Sequence, residues 1–469
     1  MRTLILTLFL FGLAYKAEAQ SDMTLSEADF MRIVRNFHPV AKVAGINVRM
    51  AEADVRAARG AFDPVLNGQA ANKELGGVTY YNYRQAELRI PTWYGLEFSA
   101  GIEDVAGTQT DPQRTPATST YAGVSFSVLK NIVIDKRRAA LQQAKVAVEM
   151  SENERLAVLN DLLYEAVSQY WTWVQLYREW RVVSEAVEVN KQRIEFTRTA
   201  IRVGERPAID SVEAITQLQY FENLQSEIAM QMQNALLRLS SYTWTEENKP
   251  YDLPAALQPA EEEQPATAFK PEAPQQDAWL QTALQEHPDL LAYRFKFRIL
   301  DIQKRLKFQE LLPDVKVKYN QLGKGTQFDR TLFQPVLENN YQYGLSMSLP
   351  LRLSEARAEY SQARMKISQT TFQYEQKQLE LSNKIREQVN TLAQMSRQIS
   401  IQQELYRNLN LLLQGEETRF QNGESSLFLI NSREQKRIES LQKLQAAQAK
   451  YYKQQAGLRW AAGVLWKEQ

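Results

Sequence analysis

In several short stretches of the chain, hydrophobic and polar residues alternate one by one. Leu96, Phe98, Ala100 and Ile102 share one parity, and Glu97, Ser99, Gly101 and Glu103 the other. Val124, Phe126 and Val128 alternate with Gly123, Ser125 and Ser127, and Leu345, Met347 and Leu349 with Gly344, Ser346 and Ser348. Val315, Val317 and Tyr319 alternate with Lys316 and Lys318. A period of two sends successive side chains to opposite faces, so these segments predict strands with one apolar and one polar face. Such a sheet suits a transmembrane barrel, with lipid on one side and water on the other, and equally a soluble sandwich with one wet face. Aromatics near the predicted strand ends (Tyr80, Tyr81, Tyr83, Trp93, Tyr94, Phe328, Phe333, Tyr341, Tyr343) fit interfacial girdles, although aromatic residues favour strands in general.

Other stretches have a helical period. Segments from about 135 to 203 and from about 354 to 422 predict helices of roughly 100 Å each at 1.5 Å per residue. In the second, Ile385, Leu392, Ile399, Tyr406, Leu413 and Phe420 recur every seven residues. The intervening seam positions mix Met395 and Leu409 with Gln388, Gln402 and Glu416, which predicts a left-handed supercoil with a narrow apolar contact. Each long helix is expected to break at Gly204 or Gly423, and a second helix to return. Pro207 suits the first turn of one return helix, and Ser425 or Ser426 the cap of the other. Shorter helices precede the strands, with Thr24 and Glu27 fitting a capping box and Asp277 an N-cap; they end near Gly60 and before Pro313.

These elements occur twice. "NFHPV" around His38 and "QEHPD" around His287 lie 249 positions apart, and Pro64 and Pro313 keep that offset. Gly123 corresponds to Gly344 at an offset of 221, Gly204 to Gly423 at 219, and Trp244 to Trp466 at 222. Four correspondences in one order mean a duplicated unit much longer than a solenoid repeat. The first copy spans 20–245, with strands over about 64–129 and a long hairpin over about 135–244. The second spans 277–469, with strands over about 313–350 and a hairpin over about 354–466. Residues 246–276, dense in proline and acid, read as an extended connector. His38 and His287, the only histidines, thus occupy equivalent places in two copies, which gives them a structural role rather than one shared catalytic or metal site.

Composition narrows the function. Residues 1–19 have an arginine, an apolar run to Ala14 and an Ala17-Glu18-Ala19 cleavage pattern, which reads as a secretory signal peptide. After Ala14 no apolar run reaches the roughly 18 residues of a spanning helix, so membrane entry would be through strands. There is no cysteine, which excludes disulfides, thiol catalysis and lipidation at an N-terminal cysteine. The 56 Lys and Arg balance 55 Asp and Glu, so there is no excess basic charge for nucleic acid. Without GxSxG, a phosphate loop or HExxH, the chain presents no catalytic, cofactor or metal residues and is read as a non-enzyme.

Signal peptide, paired copies, strands feeding long helices and glycine-bearing tips together resemble the TolC-like outer-membrane efflux channel family, the outer membrane efflux proteins, over nearly all the mature chain. The resemblance implies a mainly α chain with a transmembrane β-barrel: a homotrimer sharing a twelve-stranded barrel in outer-membrane lipid of a Gram-negative cell, continued by a periplasmic α-helical tunnel. It implies a passive exit duct for efflux or type I secretion, joined by a periplasmic adaptor (membrane fusion) protein to an inner-membrane transporter. Val203, Gly204 and Glu205 with Asn422, Gly423 and Glu424 would then form the adaptor-contact tips. Some members carry pore-ringing acids six and nine positions after the second-tip glycine, where this chain has Leu429 and Ser432. Asp210, six after Gly204, is the candidate pore constriction. The first copy is also 28 positions longer between Pro64 and Gly123 than the second between Pro313 and Gly344, enough for one added hairpin. The competing expectation is a secreted or periplasmic coiled-coil scaffold or adaptor without a pore.

Overall fold

A computed structural model describes residues 23–108, 117–260, 275–333, 335–337 and 339–467. The expected signal peptide, residues 1–19, and residues 261–274 of the connector lie outside them. The first half of the chain contains β1 (Thr24–Leu25), α1 (Glu27–Phe37), α2 (Pro39–Gly60), β2 (Val65–Leu75), β3 (Val78–Pro91), β4 (Leu96–Ala106), β5 (Ala117–Ser127), α3 (Lys136–Arg202) and α4 (Ile209–Ser240). Next come β6 (Gln258–Pro259), α5 (Gln276–Glu286), α6 (Pro288–Gln309), β7 (Asp314–Lys324), α7 (Phe328–Leu332), β8 (Tyr341–Ser348), α8 (Ser354–Gln421) and α9 (Leu427–Ala461).

The opening helix of each half is two helices broken at a His-Pro pair. Proline at the first helical position has no N–H to leave orphaned, and it holds the preceding residue extended (ψ 134° at His38, 125° at His287). The imidazole then caps the new helix. Nδ1 of His38 accepts from the Val40 amide at 3.2 Å, and Nδ1 of His287 from the Asp289 amide at 3.1 Å. This is the structural role expected of the pair.

A cap of this kind requires a neutral ring, and burial holds both imidazoles below the ordinary histidine range. In the unfolded chain they would protonate near about 6.5. The native state therefore keeps their contribution above that pH and loses it as pH falls from there through the lowered native values. A His38→Asn, His287→Asn variant retains a capping acceptor. It is expected to unfold near the wild-type temperature at pH 8 and with a flatter pH dependence between 7 and 5, measured by circular dichroism.

Other predicted caps shift. Ser26, rather than Thr24, caps α1 by accepting from the Asp29 amide at 3.0 Å, because Thr24 is extended in β1, paired with Gln258 of β6. That pairing orders the first part of the connector beyond what its composition suggests. Asp277 lies inside the first turn of α5, whose N-cap Gln275 makes no side-chain bond. Pro207 precedes α4 by two residues, with its carbonyl accepting from Asp210 at 3.1 Å. Ser426 is the N-cap residue of α9 but makes no side-chain bond, while Ser425 donates to Glu416 at 2.5 Å.

Helices α3 and α8, of 67 and 68 residues, run the length of the helical layer. Above, toward the sheet, neighbours lie in the order α2, α3, α6, α8; below, in the order α4, α3, α9, α8. The layer is thus four helices wide in both halves. Ile385, Leu392 and Ile399 are fully buried along the predicted seam, and Gln388 and Glu416 are buried among them. The largest apolar core lies around Phe30, Leu163, Trp173 and Leu239, where the short helices end against α3.

The strands form a six-stranded antiparallel sheet in the order β2-β3-β4-β5-β7-β8. Its ladders put the predicted parities on common faces: Leu88 opposes Ala100, which opposes Ala122, and Phe126 opposes Val317, which opposes Leu345. On the other face Arg89 opposes Ser99, which opposes Gly123, and Ser125 opposes Lys318. Toward the helices one face is therefore apolar and exposed, with Leu66, Leu345 and Met347 each about two-thirds or more accessible (75, 70 and 67 %), and the other is polar; farther out Arg84 and Asp104 stand on the apolar side. Helix α7 packs over the far end of the apolar face, Thr331 Oγ1 meeting Thr120 Oγ1 at 2.8 Å. Of the aromatics, Trp93 and Tyr94 sit in the β3–β4 turn beside the helices, where Phe62 stacks on Trp93. Tyr83 is buried on the polar face and Tyr343 lies within β8 on the apolar face, so neither belongs to a rim. The twelve-stranded trimer implied by the resemblance takes four strands per chain; this sheet has six, because the extra segment of the first copy adds its hairpin to the same sheet.

Candidate functional site

Two regions hold the polar chemistry: the polar face of the sheet and the tips of the long hairpins. On the sheet, the Tyr121 hydroxyl donates to Glu87 at 2.7 Å and receives the Gln85 amide at 2.5 Å, and Tyr83 donates to Gln85. Arg89 bonds Glu87 at 2.8 Å and reaches Glu97 at 3.4 Å, and Glu97 meets Arg137 of the first turn of α3 at 3.5 Å. Ser119 donates to Glu103 at 3.1 Å. Both signs of charge thus run from mid-sheet to the base of the helices, and Lys316 and Lys318 continue the polar face on β7.

At the other end, about 100 Å away along α3 by its residue count, the two hairpins turn in the same way. Gly204 has φ +79° and Gly423 φ +80°, a left-handed conformation that costs any residue with a Cβ. The amide of Glu205 returns to the Ala200 carbonyl at 3.0 Å and that of Glu424 to Arg419 at 2.8 Å, closing the orphan carbonyls of α3 and α8. Val203 and Asn422 occupy the C-cap positions before these glycines, and Val203 is exposed. Nothing lies within 4 Å of where a Cβ would project from either glycine, so backbone conformation, and not crowding within the chain, selects glycine.

Asp210 is paired: its carboxylate lies 3.5 Å from Arg206 Nη1. Arg206 also covers the Phe420 ring at 3.6 Å from its centroid and donates to the Phe420 carbonyl at 3.3 Å. One side chain thereby ties the first tip to the last turn of α8. Above it, Ile194, Ala214, Leu413, Phe420, Leu427 and Ile430 share an apolar cluster. Higher still, Arg193 on α3 meets Glu434 on α9 through two bonds, at 2.7 and 3.1 Å, and Asn190 adds a third at 3.1 Å.

Sequence reasoning located the two turns but missed Arg206, Arg193 and Glu434. Arg206 and Asp210 are four positions apart, a readable pairing signal. Arg193 and Glu434 are 241 positions apart, and the repeat offset of 219 puts Leu412 and Ile215 in their equivalent places, so nothing in the sequence links them. Among the described residues, no group of three or more potential ligands could hold a metal ion, and no helix is long and apolar enough to cross a membrane.

Residues 279–464 match the family model described as outer membrane efflux protein. No curated protein sequence gives a significant match. The structure is similar to the Campylobacter jejuni CmeC outer membrane channel (14 % identity, 98 % of this chain and 94 % of that one, TM-score 0.61). It is also similar to the outer membrane protein VceC of Vibrio cholerae (15 %, 93 % and 96 %, TM-score 0.63) and to the open state of the Neisseria gonorrhoeae MtrE outer membrane channel (12 %, 94 % and 90 %, TM-score 0.64). At these identities the likeness is one of fold, and it extends over nearly the full length of each chain.

Proposed function

Because residues 279–464 match the outer membrane efflux protein family model and the fold is that of such channels over nearly the whole chain, we propose that this chain belongs to that family and is the outer-membrane exit duct of a tripartite efflux or type I secretion system. Three copies surround one passive pore. The sheet stands in the outer membrane, apolar face to lipid, and the helices line a periplasmic tunnel. The observation that carries this reading is the join between a two-faced sheet with an exposed apolar side and a helical layer of about 100 Å. Lipid is the natural cover for the first, and water on both sides suits the second.

The tips are the docking end for a periplasmic adaptor, which links the duct to an inner-membrane transporter. Val203, Gly204 and Glu205 with Asn422, Gly423 and Glu424 form that contact, and bare glycine backbone with open space around it lets a partner helix approach closely. Asp210 acts in the constriction through its tie to Arg206, which clamps the first hairpin onto Phe420 of the second.

The test is single-channel recording in a planar bilayer on detergent-purified mature protein whose mass is measured in the same preparation. Trimers giving discrete steps support the duct. A water-soluble particle that never inserts would replace it with a periplasmic scaffold. In the same assay Arg206→Ala is expected to raise conductance or open probability severalfold, because it removes both the ion pair and the ring contact. Unchanged steps would remove the Arg206–Asp210 pair from the gate.

A further inference from the structure

The added hairpin of the first copy is a full part of the sheet. β3 pairs along β2 on one side, and β4 pairs along β5 on the other, each through ten or more residue pairs. Toward the helices its side chains obey the same two-faced rule as the other strands, while farther out the paired Arg84 and Asp104 stand on the apolar side. Ala86, Leu88 and Ile90 of β3 and Leu96, Phe98 and Ala100 of β4 share the apolar face with Val124 and Phe126. Gln85, Glu87, Arg89, Glu97 and Glu103 share the polar face and bond across to Tyr121, Ser119 and Arg137. A hairpin folded into an aqueous lumen as a plug, or standing outside the membrane as a cap, would be wet on both faces and would have no use for that apolar stripe.

The sheet is antiparallel throughout with an even number of strands, so its edges β2 and β8 run in opposite directions. Each edge carries a row of backbone groups that lipid cannot satisfy, and the edge strand of a second copy, β8 against β2, satisfies both in the antiparallel sense.

We infer that three copies of this chain close an eighteen-stranded barrel, with β3–β4 in its wall. The inference rests on the trimeric duct proposed above. The barrel's backbone diameter is then about 36 Å, against about 24 Å for twelve strands. The passage is set at the hairpin tips, and the barrel admits any cargo that the tunnel admits.

Electron cryomicroscopy of the detergent-purified trimer tests this by counting strands in the wall. Eighteen strands, with residues 78–106 among them, is the expected result. A trimeric pore closed by twelve strands, with 78–106 inside the lumen or outside the membrane, overturns the inference and leaves the duct reading intact. A particle that is neither trimeric nor membrane-inserted overturns the duct reading itself. Because the chain has no cysteine, a Gln69→Cys, Gln85→Cys variant supplies a second readout. These residues face each other across β2 and β3. Their disulfide is expected in isolated outer membranes and would be absent if β2 paired with β5 in a twelve-stranded wall.

Discussion

Replacing Leu345 by arginine is expected to abolish stable insertion in the outer membrane, whereas the same replacement at the adjacent Ser346 leaves an inserted, conducting trimer. Leu345 stands mid-strand in β8 between Tyr343 and Met347 on the apolar face, with Val317 across the ladder, and is 70 % exposed in the single chain. A guanidinium near the bilayer centre of a barrel costs about 2–4 kcal/mol per copy, and three copies multiply the effect. Ser346 points to the polar face beside Lys316, where in the proposed barrel water would screen an added charge. Membrane fractionation followed by bilayer recording separates the outcomes. If both variants insert equally, the apolar face does not meet lipid and the barrel reading falls.

The second large effect is expected at Glu434. Its carboxylate is almost fully buried (3 % exposed) between α3 and α9, with Arg193 only 13 % exposed against it. Glu434→Ala leaves that guanidinium without its carboxylate partner inside a packed helix layer. Breaking a buried pair from one side costs about 3–5 kcal/mol, most of it desolvation that is no longer compensated. Thermal unfolding in detergent should fall accordingly and more than for Lys191→Ala, whose pair with Glu188 is exposed on both sides. A double Arg193→Met, Glu434→Leu variant should recover most of the loss, because two apolar groups of similar length need no partner. Failure of the double variant to recover would mean that packing around Asn190, not charge, holds this joint.

Much of the architecture is readable from local pattern. The two parities of β4, β5, β7 and β8 came out on the faces their alternation predicts, because a pleated strand allows no other arrangement once one face must be apolar. The long helices end within a residue of the expected positions, since a glycine with positive φ at 204 and 423 is a local stop. The His-Pro repeats carried a correct structural role but not its form: that each ring caps the helix that its own proline begins is visible only in the backbone geometry. The caps at Thr24 and Asp277 failed because the chain entering α1 is drawn into a parallel pair with the connector and α5 starts two residues earlier than its acidic side chain suggests.

By itself, then, the sequence determined the period of each element, the duplication and the points at which helices stop, all of which depend on neighbours within a few turns or on direct internal comparison. Only the tertiary structure decided which strands adjoin, that the extra hairpin of the first copy enters the same sheet, and that Arg206 and Arg193 tie elements separated by more than 200 residues. Those contacts depend on how the strands and helices of the two copies come together, and on which charges their packing leaves buried. Neither is a property of any short stretch of chain.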